Sequence, residues 1–185
     1  LEGRLFEVAS IYIPESLPLT SYPDERKVLC VGTFGNNESF FTMKGIANTI
    51  AESMDIAFTY EPVQKSFLHP YQAVKVLCEG TEIGYFGKAA YDIQNELSMR
   101  TSAYIMELDL KELSRWYGKK RTFQPISKFQ EEKRDLAFVM DKNISCGEVE
   151  NCIREANKYV KEIRLFDVYE GGQIPEGKKS MAFTV

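Results

Sequence analysis

Hydrophobic and polar positions along the chain fall into short alternating runs separated by turns, with two stretches of helical period. LFEVASIYI (5–13) alternates loosely up to Pro14, KVLCVGTF (27–34) is an apolar run of strand length, and SAYIMELDL (102–110) adds another strand. VKVLCEGTEIGYFG (74–87) holds two strand-like runs around Gly80, the signal for a hairpin. Phe40, Met43, Ala47, Ile50 and Met54 recur at steps of three and four, which predicts an amphipathic helix over 40–54. Consecutive strands with tight turns and only occasional helices argue an α+β fold built on an antiparallel sheet.

The pattern restarts after WYGKKR (116–121), where an apolar helix end gives way to glycine and three cations, so a boundary is expected there. RDLAFVM (134–140) is a strand. Ser145 and Glu148 stand at capping-box spacing ahead of a stripe of Val149, Ile153, Ala156 and Val160, which predicts a helix. EIRLFDVY (162–169) and KKSMAFTV (178–185) complete a β-α-β-β order. A split βαβ fold of ferredoxin type has one more helix and strand, so the second unit is expected to be incomplete at its C-terminus.

Composition changes this picture little, and charge changes it somewhat. At 185 residues and 44% hydrophobic the chain buries a sizeable core. No apolar run is long enough for a membrane helix, and the start lacks a signal-peptide pattern, so a cytoplasmic protein is the expectation. Cys30, Cys78, Cys146 and Cys152 show no metal-ligand spacing, and one histidine leaves little to complete a zinc set. They read as reduced, mostly buried thiols. The net charge of −4 divides unevenly: residues 1–118 carry 10 basic against 16 acidic side chains, and residues 119–185 carry 13 against 11. The second unit tolerates RNA on charge grounds without announcing it.

Catalytic chemistry is hard to find. No phosphate-binding glycine loop, dinucleotide fingerprint, zincin helix or nucleophile elbow occurs. His69, in the turn-like LHPY, has no second histidine or nearby cysteine to work with. Glu107 and Asp109 share a strand face, but Asp109 stands where a cap for the helix DLKELSRWY (109–117) is expected.

The faces of the second unit are more informative. Alternation puts Leu136, Phe138 and Met140 on one side of their strand and Asp135, Ala137 and Val139 on the other. It likewise groups Leu165, Asp167 and Tyr169 against Phe166 and Val168, and Ser180, Ala182 and Thr184 against Met181, Phe183 and Val185. With the large apolar set under the helix, the other face presents Ala137, Asp167, Tyr169, Ser180 and Thr184. Such a face suits an unpaired base, which an aromatic ring stacks and a carboxylate hydrogen-bonds. It suits a plain half-solvated sheet equally well.

The segments LHP (68–70), IGYFG (83–87), ELDL (107–110), PISKF (125–129), RDLAFV (134–139), LFDVYEG (165–171) and IPEGKKSMAF (174–183) occur in this order. Together they resemble the carboxy-terminal part of the bacterial phenylalanyl-tRNA synthetase beta subunit family. The resemblance implies a class II synthetase catalytic-like, non-catalytic domain over 1–118 and a ferredoxin-like anticodon-binding domain over 119–185. In that family ATP and Mg2+ serve phenylalanine activation on the alpha subunit, and the beta subunit assembles with it as a heterotetramer of two alpha and two beta chains that binds tRNA(Phe). The class II motifs that hold ATP are missing here, so neither catalysis nor a cofactor is expected of this fragment alone. The resemblance assigns anticodon reading to Ala137, Asp167, Tyr169 and Ser180. Lys128, Lys133 and Arg134 stand where the first strand of that domain begins, as possible phosphate contacts. The alternative is a protein-interaction module whose open face docks on a neighbouring subunit without touching RNA.

Overall fold

Residues 2–118 and 130–185 are described by a computed structural model, and the chain divides into two compact units, Leu1–Phe123 and Gln124–Val185. The first unit is a six-stranded antiparallel sheet of order β1-β2-β6-β5-β4-β3, formed by β1 (Gly3–Ile13), β2 (Asp24–Phe34), β3 (Phe58–Pro62), β4 (Leu68–Cys78), β5 (Thr81–Ala89) and β6 (Ala103–Asp109). Helix α1 (Phe40–Ser53) lies on one face, and the short helices α2 (Tyr91–Glu96) and α3 (Leu110–Ser114) flank β6 in sequence.

The predicted helix stripe is the one that packs. Met43 and Ala47 are buried against Val31, Phe86, Met106 and Leu108, with Phe40, Ile50 and Met54 at the margin of this core. The Ser39 hydroxyl accepts from the Thr42 amide and the Thr42 side chain answers at the Ser39 amide, so α1 starts with a reciprocal cap. Asp109 caps α3 as expected, accepting from the amides of Lys111 and Glu112. Gly84 lets β5 come close to β6: a Cβ there would stand 2.0 Å from the Glu107 carbonyl oxygen.

Three expectations for this unit are corrected. His69 lies in β4, at its irregular beginning, and not in a turn; its Nδ1 accepts from the Tyr71 amide and its ring meets that of Tyr91 at 5.2 Å. β3 and α2 are elements the periodicity does not predict. The cysteines are unbridged, but of the four only Cys78 is buried, whereas Cys30 and Cys152 are exposed. Cys30 alternates with Leu29 and Val31, so it faces away from α1. There it lies in register with Glu7 and Glu107, and partial burial followed by these two carboxylates pushes its thiol up.

The second unit is a three-stranded antiparallel sheet of order β7-β9-β8, from β7 (Asp135–Asp141), β8 (Arg164–Tyr169) and β9 (Lys178–Thr184), with helix α4 (Cys146–Ala156) between β7 and β8 in sequence. This β-α-β-β order with the third strand in the middle is the first part of a split βαβ arrangement. Met140, Met181 and Phe183 form the buried centre, with Val149, Ile153, Ile163 and Leu165 packed against it. Helix α4 begins with the predicted capping box, and the hydrogen bonds from Ser145 hold the Glu148 carboxyl below its usual range. It ends earlier than the stripe predicts. Asn157 turns to φ −152° and its side chain accepts from the Tyr159 amide, a local hydrogen bond that competes with another helical turn and leaves Val160 beyond the helix. Of the expected boundary at 116–121, residues 119–121 lie outside the described residues.

Candidate nucleic-acid interface

Register across β7, β9 and β8 builds the face opposite α4 in rows. Ala137 pairs with Ala182 and Ala182 with Asp167; Val139 pairs with Ser180 and Ser180 with Tyr169; Asp135 pairs with Thr184 and Thr184 with Arg164. Residues paired across antiparallel strands share a side, so Ala137, Asp167, Tyr169 and Ser180 converge on one face. The buried Met181 and Phe183 point the other way.

A bulge in β8 sets this arrangement. Leu165 pairs with Phe183 and Asp167 with Ala182, so Phe166 is an extra residue and the register shifts across it. Leu165 therefore sits with the core on the α4 side, although strict alternation groups it with Asp167 and Tyr169. The same shift carries Arg164 onto the face of Asp167.

The side chains on this face are accessible. Asp167 is exposed, and among the described residues its carboxylate makes no hydrogen bond or ion pair. Ala137 and Ala182 beside it leave open space in its row. The Tyr169 ring is half-exposed and folds back over Gly171, where a Cβ would stand 1.9 Å from the phenol oxygen and 2.1 Å from Cζ. Gly171 thus holds room for the ring in its present orientation. At the far row Thr184 donates to the Asp135 carboxylate at 2.7 Å. A flat ring resting on Tyr169 would find carboxylate oxygens at Asp167 ready to accept from its edge, with alanines making up the rest of the Asp167 row.

The cations are placed differently. Lys133 is exposed just ahead of β7. Arg134 pairs with Glu132, and its backbone pairs with Val185, which packs on the α4 side, so its side chain starts from the helix face. Lys128 lies outside the described residues. Elsewhere in the unit Lys142 binds Glu170 at 2.7 Å, Lys161 binds Glu131 at 2.8 Å and Lys178 binds Asp141 at 3.1 Å. Lys142 accordingly holds the Glu170 carboxyl below its usual range.

Among the described residues no three histidine, cysteine, aspartate or glutamate side chains come together to hold a metal ion, and no helix is long and apolar enough to cross a membrane. Sequence comparison adds the family. Residues 1–110 match the model of the phenylalanyl tRNA synthetase beta chain CLM domain, and residues 127–185 match that of the ferredoxin-fold anticodon binding domain. The chain is 38% identical over 149 residues to the phenylalanine–tRNA ligase beta subunit of Bacillus licheniformis, covering 79% of this chain and 18% of that protein. It is 30% identical to the Clostridium acetobutylicum beta subunit over 99% of its own length and 23% of the relative, and 31% identical to the Bacillus subtilis one over 98% and 24%. The chain spans less than a quarter of the length of each of these relatives.

Proposed function

The chain belongs to the phenylalanyl-tRNA synthetase beta chain family, and from that premise we propose that its second unit reads the guanine at the wobble position of the tRNA(Phe) anticodon. Asp167 accepts from the imino and amino groups of the base, Tyr169 stacks on its plane, Ala137 leaves room, and Ser180 bonds the base edge or sugar. The observation that carries this reading is the convergence of these four side chains on the sheet face opposite α4, with the Asp167 carboxylate unpartnered among the described residues. Lys133 just ahead of β7, and Lys128 before it, contribute phosphate contacts that hold the loop without reading its sequence, and Arg134 joins them by exchanging Glu132 for a phosphate at the edge of the sheet.

The first unit serves assembly with the catalytic alpha subunit, in a cytoplasmic heterotetramer of two alpha and two beta chains. β1 supports this role: it is the edge of the six-stranded sheet and carries Leu5 at 68% and Phe6 at 77% exposure, an apolar edge suited to being covered. ATP and Mg2+ act on the alpha subunit, and this chain contributes no catalytic group.

Amide hydrogen exchange with and without an anticodon stem-loop tests the reading. Added guanine-bearing loop is expected to slow exchange in β8, in β9 and in the turn at 170–173, and to leave α4 unchanged. Protection confined to α4, or to the first unit alone, would contradict it.

A further inference from the structure

We propose that Arg164 is a backbone contact on the same face, binding a phosphate of the single-stranded nucleotide next to the base that Asp167 and Tyr169 hold. The inference rests on the reading above and extends it to a residue that strict alternation assigns to the opposite side. Arg164 and Asp167 are three positions apart, which on a regular strand separates their faces. The bulge at Phe166 cancels that separation, because Arg164 is in register with Thr184 and Asp167 with Ala182. Thr184 and Ala182 lie two residues apart on β9, so Arg164 stands roughly 7 Å along the face from Asp167. Asp167 is thus flanked by an aromatic ring in one row and a guanidinium in the other.

Of the two strand cations that register places on this face among the described residues, Lys178 is bonded to Asp141 and Arg164 is not paired. Lys142, Lys161, Lys178 and Arg134 each have a carboxylate partner. Arg164 is exposed, and among the described residues it has neither an ion pair nor a hydrogen bond. Asp135, the acid in its own row, is taken up by the Thr184 hydroxyl. A planar fork of donors beside a base site fits the phosphate that follows or precedes the base. Asp167 itself repels phosphate, so the cation offsets the local negative field and lets the backbone approach.

The test uses the assembled ligase carrying the full-length beta chain, titrated with anticodon stem-loops bearing guanine or adenine at the wobble position across a salt series. Arg164→Gln is expected to weaken both loops by the same factor, roughly five- to tenfold, and to reduce the slope of log K against log salt by about 0.7–1. Arg164→Lys is expected to restore the slope. Unchanged affinity and slope in Arg164→Gln would overturn the proposal. Asp167→Ala in the same series separates the two ideas: if it abolishes guanine preference while Arg164→Gln changes nothing, the base reading stands and the phosphate contact falls. If Arg164→Gln lowers the slope while Asp167→Ala leaves the preference intact, the phosphate contact stands and the base reading falls. Loss of only the guanine loop in Arg164→Gln would overturn the proposal by showing a base contact.

Discussion

Phe183→Ala is expected to unfold the second unit well below the first, lowering its melting temperature by roughly 15–30 °C. The Phe183 side chain is 0% exposed and lies on β9, the central strand between β7 and β8. Among the described residues of the unit, Met140 and Met181 are the buried hydrophobics beside it, so few neighbours are placed to collapse into the space left behind. Removing such a ring costs about 3–5 kcal/mol. A unit of some 60 residues has a total stability of about 3–9 kcal/mol. The loss is therefore comparable to everything the unit has, whereas the core around Phe86 and Met106 belongs to the first unit and is untouched. Hydrogen exchange resolved by segment checks this: β7, α4, β8 and β9 should lose protection while β4, β5 and β6 keep theirs. A shift of only a few degrees would mean that Phe183 is not the centre of the core.

Tyr169→Ala is expected to weaken anticodon stem-loop binding by about 1–3 kcal/mol, and to do so for every wobble base alike. Each base has a π-face, so a stacking platform is worth a similar amount whatever rests on it. Tyr169→Phe should bind as the parent does, because the ring does the stacking and the phenol has no partner among the described residues. Gly171→Val gives an independent check without altering the tyrosine. Its side chain would occupy the space of the Tyr169 ring, which must swing away, and affinity should fall by less than in the alanine variant. Fluorescence anisotropy of a labelled stem-loop measures all three. Full binding by Tyr169→Ala would exclude stacking on this ring.

Much of the fold was legible from periodicity, and the exceptions have local causes. The stripe from Phe40 to Met54, the hairpin about Gly80 and the caps at Asp109 and Ser145 depend on neighbours a few residues apart. Those signals are written in the sequence directly. β3 escaped because five residues ending at Pro62 are held by pairing with β4, a distant partner that alternation does not reveal. α2, with six residues, is too short to display a helical period. Val160 was grouped with the α4 stripe because its spacing is right, but the Asn157 side chain offers the backbone another hydrogen bond first.

The candidate face was partly legible. Ala137, Asp167, Tyr169 and Ser180 fall together under alternation alone, since each lies on the regular side of its strand relative to the others. Leu165 and Arg164 do not, because the bulge at Phe166 comes from the register that β9 imposes on β8. No residue in RLFDVY marks it: there is no glycine or proline to signal a break. Alternation therefore groups Leu165 with the wrong face and gives no sign that Arg164 joins Asp167. The apolar one completes the core, and the charged one enlarges the reading face.

The reading of guanine by Asp167 is tested most directly by a double-mutant cycle. Parent and Asp167→Ala chains are each titrated with stem-loops carrying guanine or adenine at the wobble position, which yields the coupling between carboxylate and base. A coupling of about 1–3 kcal/mol is expected, with the parent preferring guanine and the variant indifferent. Equal losses on both loops, leaving a coupling near zero, would contradict recognition of the base by this face.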